Sequence, residues 1–415
     1  MYSAFLWVLG ALVALETFLV FWIPYLRKEF QWLIISSDET PEMPKTGLKR
    51  FFKHSFDPEL GWVRKPHTEA KESQGTVGER RMGSKQSEYR INGRGARENP
   101  GHEKLPTSIS VYGDSFVFCR QVNDDETWPW FLSELTQTNV LNFGVGNYGF
   151  DQALLRFRRE YPANPTKTVI IGVVPETITR ILSVWKHYYE YGNTLGFKPR
   201  FKLVGDQLSF VPNVIRAPEQ FSDLAHHLPE LQRHDYFYSK KFSRDLMHLP
   251  YLLSLLRRPS RNLPLVIALS LRKSRLIQKL SCGAIEEKPW RLVLKQNAKT
   301  VQRLYTNSAA TSLFLALLDD FRVTAQSFGC TPVFLLMPYL HDVLHARDHG
   351  IYYSTFLKQA HKKLPIIDLM ELLIDSDELD EYYSNDFYGG HMTVGGNRWC
   401  SRVLHDKLQD FDALI

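Results

Sequence analysis

The chain has 415 residues, enough for one large α/β domain with insertions or for two domains. A composition of 44% hydrophobic and 23% charged residues is typical of a globular protein. The formal net charge of +6 is mild for this length, so it gives no reason to expect a nucleic-acid partner. The cysteines lie far apart and form no CxxC pair, which argues against a zinc knuckle and against a disulfide scaffold. They are Cys119, Cys282, Cys330 and Cys400.

The N-terminus predicts a membrane anchor at residues 1–28. Its apolar run, residues 4–25, holds one ionisable group, Glu16, before Tyr25 closes the segment. At 1.5 Å per residue the run is about 33 Å long, enough to span a hydrocarbon core of roughly 30 Å. No small-residue cleavage site follows, so we interpret it as an uncleaved single-pass transmembrane helix, with a buried core helix as the alternative. Because a carboxylate is costly in lipid, we expect Glu16 to face a partner helix or another subunit.

The charges around this segment bear on its orientation in the cytoplasmic (inner) membrane. No Lys or Arg precedes it, whereas Arg27 and Lys28 follow at once. The positive-inside rule then favours a cytoplasmic location for the C-terminal domain. Single-span anchors often break this rule, so an opposite orientation stays open.

Past the anchor, the sequence predicts an α/β domain. Residues 29–106 are rich in Gly, Pro, Lys and Glu and predict a juxtamembrane or linker region, with one strand-like piece at 87–93. Thereafter apolar runs alternate with helical stretches, which predicts βαβ units and a three-layer α/β/α, flavodoxin-like parallel sheet. Functional groups in such sheets lie beyond the carboxyl ends of the strands. The strand-like runs are residues 107–113, 139–144, 166–174, 330–338 and 364–369.

A helical or irregular insertion, residues 178–300, separates the two halves of this domain, 107–177 and 301–415. No acidic residue occurs between positions 246 and 285, where the apolar stretches YLLSLL and LPLVIALSL are edged by cations. That pattern favours a helix lying in a lipid headgroup layer. An amphipathic helix packed on the domain, with its basic face in solvent, is the alternative. The cations are Arg257, Arg258, Arg261, Arg272, Lys273, Arg275 and Lys279.

Ser115 directly follows the first predicted strand of the sheet, in the sequence VYGDSF. A serine hydroxyl is a poor nucleophile until a base removes its proton, and it needs a tight turn, where Gly113 allows close approach. A GDS triplet alone is weakly informative, because Gly, Asp and Ser are common in turns. Its place at the carboxyl end of a strand makes Ser115 a candidate nucleophile.

His391 lies in a glycine-flanked loop near the C-terminus, ahead of a predicted helix for which Thr393 is the expected N-cap. A neutral imidazole there can accept the proton of Ser115, and Asp386, five residues earlier, can orient it. These side chains supply a nucleophile, a base and an orienting acid in the chain order Ser, Asp, His. Simple solvation of a loop histidine is the alternative.

Together these motifs resemble the SGNH (GDSL-like) hydrolase superfamily. Its members carry a GDS serine after the first strand, a glycine after the second, an asparagine after the third, and an Asp and a His near the C-terminus. VYGDSF matches the first block, VLNFGVGNYGFDQ at 140–152 the second and GGHMTVGGN at 389–397 the last. The resemblance covers residues 107–177 and 320–410. It implies the SGNH fold, with Ser115 as the nucleophile and the last-block histidine as its base.

The oxyanion side departs from the family pattern at two positions. The family glycine aligns with Asn147, or with Gly146 if the loop is read one residue earlier. Either one offers a backbone N–H, which with that of Ser115 makes the implied oxyanion hole. The family asparagine is replaced by Glu176, whose carboxylate cannot donate to an oxyanion. The alternative role of Glu176 is to begin a helix and pair with Arg180 one turn on.

A third departure concerns the acid. The family usually places it three residues before the histidine, and that position is Tyr388. Asp386 serves only if the loop is wider. Otherwise a Ser–His dyad remains, and a lower activity is expected.

A histidine cluster raises the question of a metal. His341, His345 and His349 are spaced by four on a predicted helix, a spacing that can place imidazoles on one face. There is no HExxH glutamate, so solvent-facing histidines are the favoured interpretation and no metal is expected.

The leading hypothesis is a membrane-anchored serine esterase that acts on O-acyl groups of a glycan or lipid, the substrate class that the resemblance implies. No cofactor is expected, and the expected partners are membrane lipid, the acylated substrate and a membrane protein bound through the N-terminal helix. The alternative is a non-catalytic SGNH-fold subunit or scaffold of a membrane complex, favoured by the departures at Glu176 and Tyr388.

Overall fold

A computed structural model describes residues 2–29, 33–35, 41, 43, 45–73, 86–273, 284–384 and 390–411. The strands are β1 Phe56–Asp57, β2 Gly61–Trp62, β3 Glu69–Ser73, β4 Gln86–Arg90, β5 Thr107–Gly113, β6 Asn139–Asn142, β7 Thr168–Val173, β8 Arg200–Val204, β9 Gln207–Val211, β10 Thr331–Leu336 and β11 Ile366–Asp368.

The α-helices are α1 Tyr2–Glu29, α2 Lys45–His54, α3 Ser115–Phe118, α4 Trp128–Thr136, α5 Phe150–Glu160, α6 Thr177–Arg180, α7 Leu224–His234, α8 Ser243–Asp245, α9 Tyr251–Arg257, α10 Pro259–Lys273, α11 Ala284–Tyr305, α12 Ser308–Phe328, α13 Leu340–His349, α14 Ser354–Ala360, α15 Met370–Leu373, α16 Leu379–Tyr382 and α17 Val394–Asp410.

Two compact units divide the chain. The sheet unit consists of Thr46–Leu182, Lys198–Arg216 and Val301–Ile415. The helical unit consists of Met1–Lys45, Ser183–Phe197 and Ala217–Thr300. The predicted insertion is therefore shared, since the β8–β9 hairpin belongs to the sheet unit.

The sheet unit is built on five parallel strands in the order β11-β10-β7-β5-β6. All residues of β6, β7 and β11 are buried, as are the last five of β5 and of β10. Continuous apolar runs are what a sheet covered on both faces requires. α5 and α12 pack together and cover β5, β7 and β10, while α17 packs on α4 beside β6. The predicted three-layer α/β/α parallel fold is confirmed.

The register of the sheet brings the carboxyl ends of its strands to one edge. Gly113 at the end of β5 pairs with Gly172 in β7, and Val173 pairs with Leu336 at the end of β10. The segments that follow these strands therefore meet where the sheet ends, and Ser115 is the second residue past β5.

Part of the predicted juxtamembrane region is built into the sheet unit. β3 and β4 form an antiparallel hairpin, and the Arg97 N–H then donates to the Asn142 carbonyl of β6 at 2.8 Å. The buried Arg97 guanidinium donates to Asp124 at 2.8 Å and to the Cys119 carbonyl at 2.8 Å. The polar composition of this segment predicts a linker. The segment is nevertheless packed, because hydrogen bonds of a buried arginine hold it in place.

The helical unit contains α1, and its Ser3–Lys28 segment is long and apolar enough to cross a membrane by length and composition. Leu19, Ile23 and Leu26 are buried against a cluster that includes α9 and α10 residues. The Glu16 carboxylate accepts hydrogen bonds from the N–H groups of Tyr251 at 2.6 Å and Leu252 at 2.8 Å. The partner helix expected for Glu16 is thus α9 of the same chain.

A buried carboxylate organises the basic stretch of the insertion. Asp245 pairs with Arg258 at 2.6 Å and with Arg261 at 3.2 Å, and it accepts a hydrogen bond from the Tyr191 hydroxyl. Although burial opposes its ionisation, Arg261, Lys241 and Arg258 hold the pKa of Asp245 below its usual value. Arg258 and Arg261 therefore neutralise an internal charge.

Asp368 is a buried carboxyl at the end of β11. Its Oδ1 accepts from the Met370 N–H at 3.1 Å and the Tyr353 hydroxyl at 3.2 Å. Its Oδ2 has no hydrogen-bond partner within the described part of the chain. Burial raises the pKa of Asp368 to about 7.

This raised pKa predicts a pH-dependent stability. The unfolded carboxyl has a pKa of about 3.9, so between about pH 4 and 7 the folded chain binds a proton that the unfolded chain lacks. That contribution is complete below pH 4 and is lost as the pH rises to 7, by at most about 1.4 kcal/mol per pH unit. Asp368→Asn, which keeps Oδ1, should remove the loss. We expect its thermal midpoint, relative to the wild type, to rise from pH 4 to 8; a constant difference contradicts the prediction.

Candidate active site

Ser115 and His391 meet at the carboxyl edge of the sheet. The Ser115 Oγ lies 3.0 Å from the His391 Nε2, although the two residues are 276 positions apart in the chain. In the tautomer that carries its proton on Nδ1, the imidazole accepts the serine O–H through Nε2. Both residues are buried, with exposures of 6% and 4%. The separation is within the hydrogen-bond reach that a nucleophile and its base require.

The turn that presents Ser115 requires a glycine. Gly113 has φ +153°, and a Cβ there would lie 1.8 Å from the Gly172 carbonyl oxygen and 2.6 Å from Val117 Cγ2. Asp114 then caps α3, because its side chain accepts from the Phe116 N–H at 2.9 Å. The GDS triplet thus joins a strand to a helix within two residues.

Arg180 ties Asp114 to the neighbouring loops. Asp114 Oδ2 accepts from the Val174 N–H and from the Arg180 guanidinium, each at 3.0 Å. The same buried guanidinium donates to the Tyr148 carbonyl and to the Tyr339 hydroxyl, each at 3.1 Å. Segments that follow β5, β6, β7 and β10 are therefore linked through one cation.

Glu176 precedes a helix and pairs with Arg180, the alternative role that the sequence indicates. It precedes α6, and its carboxylate accepts from Arg180 at 3.1 Å, the predicted pairing one turn on. Arg180 pairs with both Glu176 and Asp114, so one cation faces two carboxylates and offsets only part of their combined charge. A carboxylate still cannot supply the hydrogen bond that the family asparagine donates.

Backbone N–H groups of Ser115 and of the loop after β6 are available as donors, and the Val145 N–H of that loop donates to the Gly113 carbonyl of the serine turn at 2.9 Å. Asn147 adopts the left-handed conformation with φ +71°, which asparagine tolerates better than most residues. No residue in the described ranges accepts a hydrogen bond from the N–H of Ser115, Gly146 or Asn147. The Gly146 carbonyl accepts from the Trp62 indole at 3.0 Å, which holds this loop in place. The arrangement can stabilise a developing oxyanion.

The histidine is held by aromatic neighbours. The Phe116 ring stacks on His391 at 5.0 Å between centroids, and the Tyr339 ring meets Phe116 edge-on at 5.1 Å. Asp386 and Tyr388, the two positions considered for the acid, lie outside the described residues. The orienting role of Asp386 stays a prediction.

The predicted N-cap next to His391 is present. Thr393 Oγ1 accepts from the Gly396 N–H at 3.1 Å at the start of α17. Thr393→Ala should lower the free energy of unfolding by about 1 kcal/mol, because a helix donor loses its acceptor. Thr393→Ser is the matched control and should stay near the wild type. Chemical denaturation measures both, and equal losses for the two variants would contradict the capping role.

Two other candidate chemistries find no support. Burial raises the pKa of Cys119 to about 12, so this thiol, four residues past Ser115, is not a thiolate near neutral pH. Within the described ranges, no group of three or more His, Cys, Asp or Glu side chains is placed to hold a metal ion. The His345 and His349 rings contact each other at 4.7 Å, while His341 stacks on Tyr339 at 5.1 Å.

Sequence reasoning missed the buried cations of this site. Nothing in the sequence marks Arg97 as internal, and the spacing of Arg180 indicates only a pairing with Glu176. Cations are mostly exposed, so the sequence gives no signal that a given arginine is internal. Asp114 was detectable, since an Asp directly before a short helix is an N-cap signal.

The chain is an α/β protein with a five-stranded parallel sheet and a Ser115–His391 pair at the carboxyl edge of that sheet, the fold class that the resemblance to the SGNH (GDSL-like) hydrolases predicted. No family model matches the chain, and no curated protein matches it. Among matching solved structures is a protein of Desulfitobacterium hafniense DCB-2 assigned to the G-D-S-L lipolytic family. It is 14% identical, the match covers 73% of this chain and 99% of that chain, and the TM-score is 0.31. Its description names the predicted family, but at that score the class rests on the geometry of the chain itself.

Proposed function

We propose that the protein is a membrane-anchored serine hydrolase that cleaves ester (O-acyl) groups of a glycan or a lipid. The observation that carries the proposal is the 3.0 Å separation of the Ser115 Oγ and the His391 Nε2. The N–H groups of Ser115, and of Gly146 and Asn147 in the loop after β6, are used by no described residue. A nucleophile, a base and oxyanion donors are the minimum for acyl transfer.

Each residue has a defined role in this reaction. The Ser115 Oγ attacks the ester carbonyl carbon while the His391 Nε2 takes the hydroxyl proton. The carbonyl oxygen becomes an oxyanion, which the backbone N–H groups stabilise. When the ester C–O bond breaks, His391 gives its proton to the departing alcohol. Water, activated by the same imidazole, then releases the acid from the serine.

Glu176 sets the expected strength of this site. A missing oxyanion donor typically costs about 10²–10³ in rate. Because Arg180 is shared between Glu176 and Asp114, it offsets only part of their charge, and we expect some repulsion of the oxyanion in addition to the missing donor. The hydrolase is expected to be slower than one with the family asparagine.

The anchor bears on the substrate. α1 would hold the sheet unit at the inner membrane, where lipids or glycans carrying O-acyl groups lie within reach. The resemblance implies the same substrate class. The side of the membrane, for which the positive-inside rule favours the cytoplasm, is tested by protease accessibility in intact cells.

Hydrolysis and labelling of the full chain in lipid nanodiscs test the proposal. We suggest p-nitrophenyl acetate, because Ser115 is only 6% exposed and a small ester reaches it most easily. We expect turnover, and we expect a fluorophosphonate to form an adduct that peptide mass spectrometry places on Ser115. A chain that neither hydrolyses the ester nor carries the adduct would support the alternative, a non-catalytic SGNH-fold subunit of a membrane complex.

A further inference from the structure

An apolar surface of the helical unit is left uncovered beside the anchor helix. Leu249, Leu253 and Leu256 follow one another on α9 and just before it, with exposures of 61%, 58% and 63%. On α10, Leu263 and Ile267 are four residues apart and exposed as well. Contiguous exposed apolar side chains mark a surface that another apolar phase covers.

The opposite faces of these helices are already buried. Leu255 on α9 and Leu265 and Leu269 on α10 pack in the cluster that includes Leu19 and Ile23 of α1. A helix that is apolar on its inner and its outer side is typical of a buried or lipid-facing environment. Packing among the described residues therefore does not account for the exposed leucines.

The Glu16 contact fixes the height of α9 along the anchor. The Tyr251 and Leu252 N–H groups bond to Glu16, which precedes Tyr25 at the polar end of the apolar run by nine residues (25 − 16). Nine residues of α-helix measure about 13 Å. If Tyr25 marks the edge of the hydrocarbon layer, the start of α9 lies well inside a layer of roughly 30 Å.

The first N–H groups of a helix lack partners within the helix, and lipid offers no water to satisfy them. Glu16 supplies an acceptor to two of them, and the Pro250 carbonyl accepts from the Ser254 N–H at 3.2 Å. The His248 N–H in turn donates to the Ser254 hydroxyl at 3.1 Å. Four N–H groups of the turn at 248–254, those of residues 248, 251, 252 and 254, are thus satisfied within the chain.

Polar groups lie where α10 returns to the end of the anchor. The Trp22 indole donates to the Ser270 hydroxyl at 2.8 Å, and the Lys273 ammonium lies 5.1 Å from the centre of the Tyr25 ring. Trp, Tyr and Lys are the residues that anchor helices at a membrane interface. The cation and the aromatic rings therefore lie at the same level as the polar end of α1.

From these contacts we infer that residues 249–256 form a re-entrant segment, which enters the acyl-chain layer of the bilayer beside α1 and turns back. The inference rests on the membrane anchoring in the proposed function. Its occupant is lipid, and Leu253 and Leu256 face the acyl chains. Glu16 is the internal cap that lets a helix begin at this depth.

Nitroxide accessibility tests the segment in the full chain, reconstituted in phosphatidylcholine–phosphatidylglycerol nanodiscs. Single cysteines are placed at Leu253 and Leu256 in a Cys282→Ser background, where the remaining cysteines are buried. There are two controls. Val13→Cys lies in the N-terminal half of α1, at a position that is 59% exposed, and Val204→Cys lies on the β8–β9 hairpin, at a position that is 67% exposed. Thermal unfolding, followed by circular dichroism, checks that each variant is folded.

At positions 13, 253 and 256 we expect the nitroxide to collide more often with oxygen, which is apolar and enters lipid, than with the water-soluble nickel chelate. At position 204 we expect the reverse. If 13 is in lipid while 253 and 256 resemble 204, the re-entrant segment is wrong and the anchor stands. If 13 also resembles 204, the anchoring fails and the segment with it. Protection of 253 and 256 from both reagents identifies a protein surface in place of lipid and overturns the inference.

Substitutions at Glu16 provide a second test on the same labels. Glu16→Ala removes the acceptor for two N–H groups, so we expect the oxygen-to-nickel ratio at 253 and 256 to fall. Glu16→Gln retains one carbonyl oxygen and should lie between alanine and the wild type. Unchanged ratios in both variants would contradict the capping role.

Discussion

Replacing Ser115 by alanine is expected to lower kcat/KM for p-nitrophenyl acetate by on the order of 10⁴-fold or more. The Ser115 hydroxyl, 3.0 Å from His391 Nε2, is the group that would form the acyl intermediate, and alanine leaves the turn itself intact. Steady-state kinetics in nanodiscs measure the loss. Ser108→Ala is the matched control, because that serine lies at the opposite end of the same strand and bonds to Thr138.

The pair should behave as one unit. His391→Ala is expected to lose nearly as much activity as Ser115→Ala, and the double variant should be no worse than either single variant. Independent residues would instead multiply their losses. Multiplying losses, or turnover that survives Ser115→Ala, would show that the reaction runs elsewhere.

The same kinetics test whether Asp386 orients His391. If it orients the imidazole, Asp386→Asn should cost up to about 10⁴ in kcat, as the loss of the orienting acid does in serine proteases. If the site is a Ser–His dyad, the same substitution should leave kcat near the wild-type value. The stability of the variant, measured in parallel, separates an orienting role from a folding defect.

Local sequence signals account for the parts of this fold that were predicted. The strand runs were visible because parallel strands covered on both faces are continuously apolar, as in TVIIGV of β7. Ser115 was found because it follows such a run, and Thr393 because helix N-caps are set by neighbouring residues. These features depend on a few residues in sequence.

The remaining features depend on distant pairs. Glu16 reaches a helix that begins 235 residues later, and Arg97 holds a carboxylate 27 residues on. The local sequence does not predict such pairs, because it specifies each residue but not which distant residue will contact it in the fold. The pattern at 246–285 suggested a lipid-facing basic surface, yet Arg258 and Arg261 lie against Asp245. A charged residue can therefore be buried and stabilise the fold when it pairs with an opposite charge that is distant in the sequence.

Removing the Arg180 guanidinium is expected to destabilise the protein by about 3–5 kcal/mol, as Arg180→Met should show in chemical denaturation. The reason is the fully buried Asp114 carboxylate, which would lose its charged partner. An uncompensated buried charge is among the most costly single defects. Arg158→Met is the control, because that arginine pairs with Asp320 while 33% exposed and should cost about 1 kcal/mol or less.

Arg180 should also affect the rate, through position. Its guanidinium holds Asp114 at the serine turn and the Tyr148 carbonyl next to the oxyanion loop, so its loss should displace nucleophile and donors together. We expect kcat and the fluorophosphonate labelling rate of the folded fraction to fall by about 10²-fold, with KM little changed, because a shift of an ångström costs that much.

Arg180→Lys separates charge from geometry. Lysine restores a cation beside Asp114 but cannot donate in the planar fork that reaches four partners. It should therefore recover much of the stability lost in Arg180→Met and little of the rate. Equal recovery of both would mean that charge alone positions the serine. A wild-type rate in folded Arg180→Met would show that the guanidinium stabilises the edge of the sheet without positioning Ser115.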